Sequence, residues 1–217
     1  MKIQACIFDL DGVIVDTAKY HYIAWKEMAA ELGFDFTEKE NEWLKGVSRM
    51  RSLDILLEIG KVTKSEDEKK LLAERKNERY LEFVRHMTDE EILPGVSRFL
   101  DDLRSNGILI ALGSASKNAP LILERIQIRE KFDAVVDGNA VANPKPDPEV
   151  FLTCARLLKV EPEQCLVFED AQAGIDAALN GGMKVIGVGS PDDLSFADHF
   201  IPGFKKLDYE LVSKWYV

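Results

Sequence analysis

Two kinds of hydrophobic run alternate along this chain. Short, nearly unbroken apolar stretches at Lys2–Phe8 (KIQACIF), Ile108–Leu112, Phe132–Val136, Cys165–Phe168 and Lys184–Val188 have the length of buried strands, and the first ends at a polar, glycine-containing loop. Between them apolar residues recur three and four apart. Val96, Phe99, Leu100 and Leu103 place one apolar stripe on a helix, and further helices are predicted near 117–126, 147–158 and 171–180. Strands alternating with helices predict an α/β fold, a Rossmann-like parallel sheet with helices on both faces.

The stretch 17–87 breaks the alternation. It carries helix signals and no convincing strand. Thr17 is placed to cap a helix with Trp25, Met28, Ala29 and Leu32 on one face and Gly33 as its stop. Thr37 with Glu40, and Ser65 with Glu68, have the spacing of capping boxes, and the second opens a long helix presenting Leu72, Tyr80, Phe83, Val84 and Met87. An all-helical block inside an α/β pattern predicts an inserted lobe. The expected division is therefore a core of residues 1–16 and 88–217 and a helical cap of residues 17–87, with crossings near Val15–Thr17 and Thr88–Gly95. Trp25 and Trp43 read as cap core. The tail from Ser190, with Asp192, Asp193 and Asp198, reads as acidic surface.

Composition narrows the function. A net charge of -10 argues against nucleic-acid binding. Cys6, Cys154 and Cys165 fit no zinc spacing and read as small buried hydrophobes in a reducing compartment. No apolar run approaches a membrane span, and the first residues have no signal-peptide layout, so the expected location is the cytoplasm.

The chemistry concentrates in four short segments: Asp9-Leu10-Asp11-Gly12-Val13, Ser114-Ala115-Ser116, Lys145 between two prolines, and Glu169-Asp170. The first, second and fourth directly follow predicted strands. In an open parallel sheet, ligands bind at the carboxyl ends of strands, so the segments can converge. Asp9 and Asp11, two apart on extended chain, face the same way and repel unless a cation joins them. Magnesium prefers such oxygen ligands and sits with phosphates. Glu169 and Asp170 can add oxygens, Lys145 can offset the carboxylates, and the Ser114 hydroxyl suits a phosphate oxygen. His21 lies one helical turn after Thr17, so both can face the cleft.

These segments, in this order and strand context, resemble the haloacid dehalogenase superfamily over nearly the whole chain. Within it, Asp16–His21, Leu44–Arg49 with Ser52-Leu53, Lys76-Asn77 and Ser114–Asn118 resemble the β-phosphoglucomutase branch. The resemblance implies a magnesium-dependent phosphomutase that interconverts β-glucose 1-phosphate and glucose 6-phosphate through a phosphorylated Asp9 and a bisphosphate intermediate. It implies Asp9, Asp11, Thr17, His21 and Lys145 as catalytic, with Asp11 as general acid and base and His21 helping to position it near Lys76. Asp9, the Asp11 carbonyl, Glu169 and Asp170 are implied as the metal site. Gly46, Val47, Arg49, Ser52, Lys76, Ser114, Ala115, Ser116, Lys117 and Asn118 are implied as the substrate contacts, with Arg49 on the distal phosphate. The expected partners are small sugar phosphates, with neither nucleic acid nor membrane, and the expected state is a monomer. The alternative is a phosphatase for a small sugar phosphate or phosphoglycolate on the same core.

Overall fold

The computed structural model describes residues 2–192 and 194–216. Asp193 lies outside the described residues. Six parallel strands form one sheet: β1 (Ala5–Phe8), β2 (Leu109–Gly113), β3 (Ala134–Val136), β4 (Cys165–Glu169), β5 (Lys184–Val188) and β6 (His199–Ile201), in the order β3-β2-β1-β4-β5-β6. The order reverses between β1 and β4, the position at which open α/β sheets leave a crevice for ligand. Register puts Phe8 beside Leu112 on one side and Phe168 on the other, so Asp9 leaves the sheet at that crevice.

Strand periodicity divides the core. Cys6, Phe8, Ile110, Leu112, Leu166 and Phe168 point to one face, where they meet α5 (Val96–Ser105), α6 (Ala119–Arg125) and α9 (Tyr209–Trp215). Ala5, Ile7, Ala111, Cys165 and Val167 point to the other and meet α7 (Glu149–Leu158) and α8 (Gln172–Asn180). Directly below the strand ends, Phe8 and Phe168 stack with centroids 4.7 Å apart, edged by Phe99 and backed by Phe204. Each buried ring contributes roughly 1.5–3 kcal/mol of transfer free energy, and the cluster fixes the floor under Asp9. All three cysteines are free and buried in this core.

The helices between β1 and α5 are α1 (Ala18–Glu31), α2 (Glu38–Asn41), α3 (Arg49–Gly60) and α4 (Glu66–Val84). They share a separate apolar cluster that includes Trp25, Met28, Phe36, Leu53, Leu56 and Leu72. Both expected capping boxes form, at Thr37/Glu40 and Ser65/Glu68. Gly33 follows the end of α1 at φ +89°, a conformation that suits glycine. The chain enters and leaves this block at one place: the Leu93 amide donates to the Ile14 carbonyl at 2.9 Å, and Val15 pairs with Ile92.

Two expectations need correction. The tail is not simply surface. It forms β6 and α9, and Ile201, Phe204, Leu207 and Val212 are buried. Its apolar residues are too sparse to form a recognisable run, and β6 is only three residues long on the sheet edge. Trp43 is not lobe core. It is 57% exposed, because the inward position of its short turn belongs to Leu44.

Candidate active site

The crevice at the β1/β4 ends opens into a cleft of about 430 Å³ between the sheet and the helical block. Asp9, Asp11, His21, Gly46, Val47, Arg49, Ser52, Lys76, the segment Ser114–Asn118, Lys145 and Asp170 all border it. Thr17 and Glu169 lie beneath its surface, fully buried. The four sequence segments therefore converge on one volume.

Lys145 is the hub of the buried charges. Its Nζ donates to Asp9 Oδ1 at 2.6 Å and to Glu169 Oε1 at 2.5 Å, above the ring of Phe151. Burial pulls its affinity for protons down, but the Asp9 and Glu169 carboxylates outweigh that and hold the ammonium charged well above its ordinary range. Glu169 Oε2 accepts from the Ala171 amide at 2.8 Å, so both Glu169 oxygens are engaged. Carboxylate oxygens of Asp9, Glu169 and Asp170 lie within 4.8 Å of one another. Burial, then the charges of Glu169 and Asp9, pushes Asp170 far above the usual carboxylate range. One lysine thus leaves this all-oxygen set short of positive charge, which is the chemistry a small hard cation satisfies.

Two glycines make the close approach of these acids possible. A Cβ on Gly12, which sits at φ +78°, would lie 1.9 Å from Asp170 Oδ2, and one on Gly174 would lie 1.8 Å from Glu169 Oε1. Neither was singled out from sequence. For Gly174 the available signal was a glycine in the first turn of a helix, where propensity disfavours it.

Asp11 stands apart from that oxygen cluster. The Thr17 hydroxyl donates to Asp11 Oδ1. Thr17 occupies the N-cap position of α1 but makes no side-chain cap, because its hydroxyl is turned to Asp11 instead. This departs from the expected capping role. Burial first, and then the Asp9 charge, pushes Asp11 up to about 6, against the opposing pull of Thr17, Lys76 and Lys145. On the facing helix, Lys76 Nζ donates to His21 Nδ1 at 2.7 Å and lies 4.5 Å from the Trp25 ring centre. Burial, followed by the Lys76 and Arg49 charges, holds His21 well below its ordinary value, so its ring is neutral and accepts that bond.

The lobe loop is shaped by its own bonds. The Ser52 hydroxyl donates to the Leu44 carbonyl at 3.4 Å, and Ser48 caps α3 through the Arg51 amide. On the core side, Ser114 Oγ accepts from the Ser116 amide and Ser116 Oγ from the Asn118 amide, which sets the path of Ser114–Asn118. A bond spans the cleft: Asn118 Nδ2 donates to Asn77 Oδ1 at 2.9 Å, a role for Asn77 that the sequence did not announce.

Gly46 brings the lobe loop close against the core. It sits at φ +71°, and a Cβ there would lie 2.6 Å from Ala171 Cβ. Gly46→Ala is expected to hold the loop off the core. A misplacement on the order of 1 Å near reacting groups can cost about 100-fold, so kcat/KM should fall about that far. Melting should move little, since an alanine forced into this conformation costs only about 1–2 kcal/mol. Steady-state kinetics beside a thermal melt separates the two effects, and unchanged kinetics would remove Gly46 from closure.

Comparison with known proteins agrees with this geometry. Residues 6–188 match the model of the haloacid dehalogenase-like hydrolases. The chain is 44% identical to the β-phosphoglucomutase of Bacillus subtilis over 211 residues, covering 96% of this chain and 93% of that protein. It is 33% identical to a phosphorylated carbohydrates phosphatase of Thermotoga maritima, covering 84% and 83% of the two chains. The crystal structure of β-phosphoglucomutase from Clostridium difficile superposes with a TM-score of 0.94 at 45% identity, covering 99% of this chain and 97% of that one. With the strand-end acids, the buried lysine and the helical block all in place, the chain belongs to the haloacid dehalogenase-like hydrolase family.

Proposed function

We propose that this protein is a β-phosphoglucomutase, interconverting β-glucose 1-phosphate and glucose 6-phosphate, with residues 17–87 acting as a cap over a core of residues 1–16 and 88–217. The observation that carries the reading is a cleft with cationic groups on both walls. Lys145 stands at the strand ends, while the Arg49 guanidinium faces it from the helical block. A sugar carrying a phosphate at each end needs both walls charged. A phosphate on one end only needs one.

Asp9 is the nucleophile. Lys145 holds Oδ1, which leaves Oδ2 to form the new bond to phosphorus as the bond to the sugar oxygen breaks. Asp11 gives its proton to that departing oxygen and, in the return step, takes one from the attacking sugar hydroxyl. Lys145 and the Ser114 hydroxyl hold phosphoryl oxygens as charge shifts among them. Arg49, with Lys117 and Asn118, grips the distal phosphate, where a guanidinium matches it with two bonds. Thr17 and His21 keep Asp11 in place. Gly46, Val47, Ser52, Lys76, Ala115 and Ser116 shape the sugar site.

Magnesium fits the oxygen set of Asp9, Asp170 and the Asp11 carbonyl, with Glu169 in support, and when bound it supplies a Lewis acid for the phosphoryl oxygens. Its presence is expected to register in stability. A carboxyl whose affinity for protons is higher in the folded chain than in the unfolded one loses stability as pH rises from about 4 toward its raised value. Asp170 is such a group. Magnesium competes with the proton it holds, so the thermal shift on adding the metal should grow with pH. At about 100 times the dissociation constant the shift should be about 5–10 °C at pH 8, and much smaller at pH 5.5. An equal shift at both pH values would place the metal elsewhere.

The reading is tested by supplying β-glucose 1-phosphate, magnesium and a trace of glucose 1,6-bisphosphate, and following glucose 6-phosphate, with the α-anomer as control. Primer-dependent, β-specific turnover supports it. Steady phosphate release without glucose 6-phosphate would make the protein a sugar-phosphate phosphatase on the same Asp9 chemistry.

A further inference from the structure

The helical block meets the core on both sides of Asp9. β1, which ends at Asp9, lies between β2 and β4. On the β4 side Gly46 lies against the methyl group of Ala171. On the β2 side the contact is polar: Asn118, in the segment after β2, donates from Nδ2 to Asn77 Oδ1 on α4 at 2.9 Å. Both asparagines border the cleft and are half-buried. The mechanism above uses Asn118 and has no use for Asn77. Yet the two side chains are not independent. The Asn118 backbone amide donates to Ser116 Oγ at 3.2 Å, which fixes the main chain there. The hydrogen bond that fixes the side chain is the one to Asn77. A carboxamide has one accepting oxygen and two N–H donors. The bond spends the Asn77 oxygen and one Asn118 proton. What the joined pair still presents from its nitrogens is N–H groups, the chemistry that suits phosphate oxygens.

We propose that Asn77 is a positioning residue for the distal phosphate: its side-chain oxygen holds the Asn118 amide so that the second Asn118 N–H serves that phosphate. No covalent bond changes in this arrangement. Its value is preorganisation. A side chain that the ligand itself must order costs affinity, and Asn77 orders this one beforehand. The placement adds a condition. Asn118 belongs to the core and Asn77 to the last long helix of the inserted block, so Asn118 is held only while α4 is seated across the cleft. The grip on the far end of the substrate is thereby tied to closure over Asp9.

The inference rests on the reading of the cleft as a site for two phosphates, and the experiment keeps the two apart. Phosphorylation of Asp9 is followed by intact mass with two donors: glucose 1,6-bisphosphate, which presents a distal phosphate, and acetyl phosphate, which presents none. A wild type without preference for the bisphosphate would remove the distal site and the proposal with it. A failure of the proposal alone leaves that preference in place and shows only in the variants. Asn77→Ala keeps α4, since alanine is the best helix former, and circular dichroism and melting verify this. It should lower the second-order rate with the bisphosphate about tenfold, mainly through a higher half-saturating concentration, and the rate with acetyl phosphate by less than about twofold. Adding Asn77→Ala to Asn118→Ala should produce no further loss beyond about twofold, because Asn77 acts through Asn118. An unchanged bisphosphate rate in Asn77→Ala would overturn the proposal. So would equal losses with both donors, which would make the bond a general closure contact. Losses that multiply in the double variant would overturn it too, since Asn77 would then act apart from Asn118.

Discussion

Replacing Asp9 by asparagine is expected to abolish turnover of every phosphate ester this protein accepts, by up to a million-fold, the scale seen when a covalent nucleophile is removed. An amide has no anionic oxygen to attack phosphorus. The change is nearly isosteric, and Lys145 keeps its bond to Glu169 at 2.5 Å, so the fold should survive. Intact-mass measurement after incubation with a phosphoryl donor supplies a second readout, since the variant should show no phosphorylated species where the wild type does. A phosphorylated Asp9→Asn protein, or a rate within about 100-fold of wild type, would move the nucleophile elsewhere.

The second large effect belongs to Asp11. Asp11→Asn should reduce turnover of sugar phosphates by about 10²–10⁴-fold, the usual contribution of a general acid and base. Phosphorylation of Asp9 by acetyl phosphate should fall far less, because its leaving group needs no proton. That asymmetry separates a lost proton transfer from a damaged site. In the wild type, Asp11 is pushed up to about 6. It is therefore mostly protonated below that pH and mostly ionised above it. Phosphorylation by a sugar phosphate, which needs the proton, should slow as pH rises through this value. Attack by a sugar hydroxyl, which needs the base, should slow as pH falls through it. Single-turnover rates across pH should show both limbs in the wild type and neither in the variant. Equal losses with both donors would assign Asp11 a structural role.

The sequence carried the alternation of strands and helices, both capping boxes and the convergence of Asp9, Ser114, Lys145 and Glu169 because each rests on local chemistry: a periodicity, a spacing, or a loop after an apolar run. What it concealed depends on contacts distant in the chain. The edge strand at His199–Ile201 exists because β5 offers a ladder to it, and three residues are too few to declare a period. Thr17 has the composition of a cap, yet its hydroxyl answers Asp11, and only the fold decides between those partners. Gly12 and Gly174 are legible as flexible residues, but their purpose is to leave room for carboxylates from another segment. Tyr80 looks like an ordinary position on an amphipathic helix until α4 is laid across the cleft, and only there does Asn77 meet Asn118.

The paired crossings have a consequence for how such proteins diversify. Because Ile14 and Leu93 are hydrogen-bonded neighbours, the path through the helical block begins and ends at one point and contributes no strand to the sheet. Strand order and the acids at the strand ends are independent of what is spliced between those residues. The block is not freely removable, since Tyr80 and Val84 share the main core cluster and their loss would uncover it. Exchange is a different matter: an insert whose ends close the same gap, whose last helix refills that place and which resupplies the Thr17 and His21 support of Asp11 keeps the phosphoryl chemistry and changes the molecule presented to it. Recombination at a single joint, rather than the stepwise remodelling of a whole pocket, is then enough to give this catalytic base a new substrate.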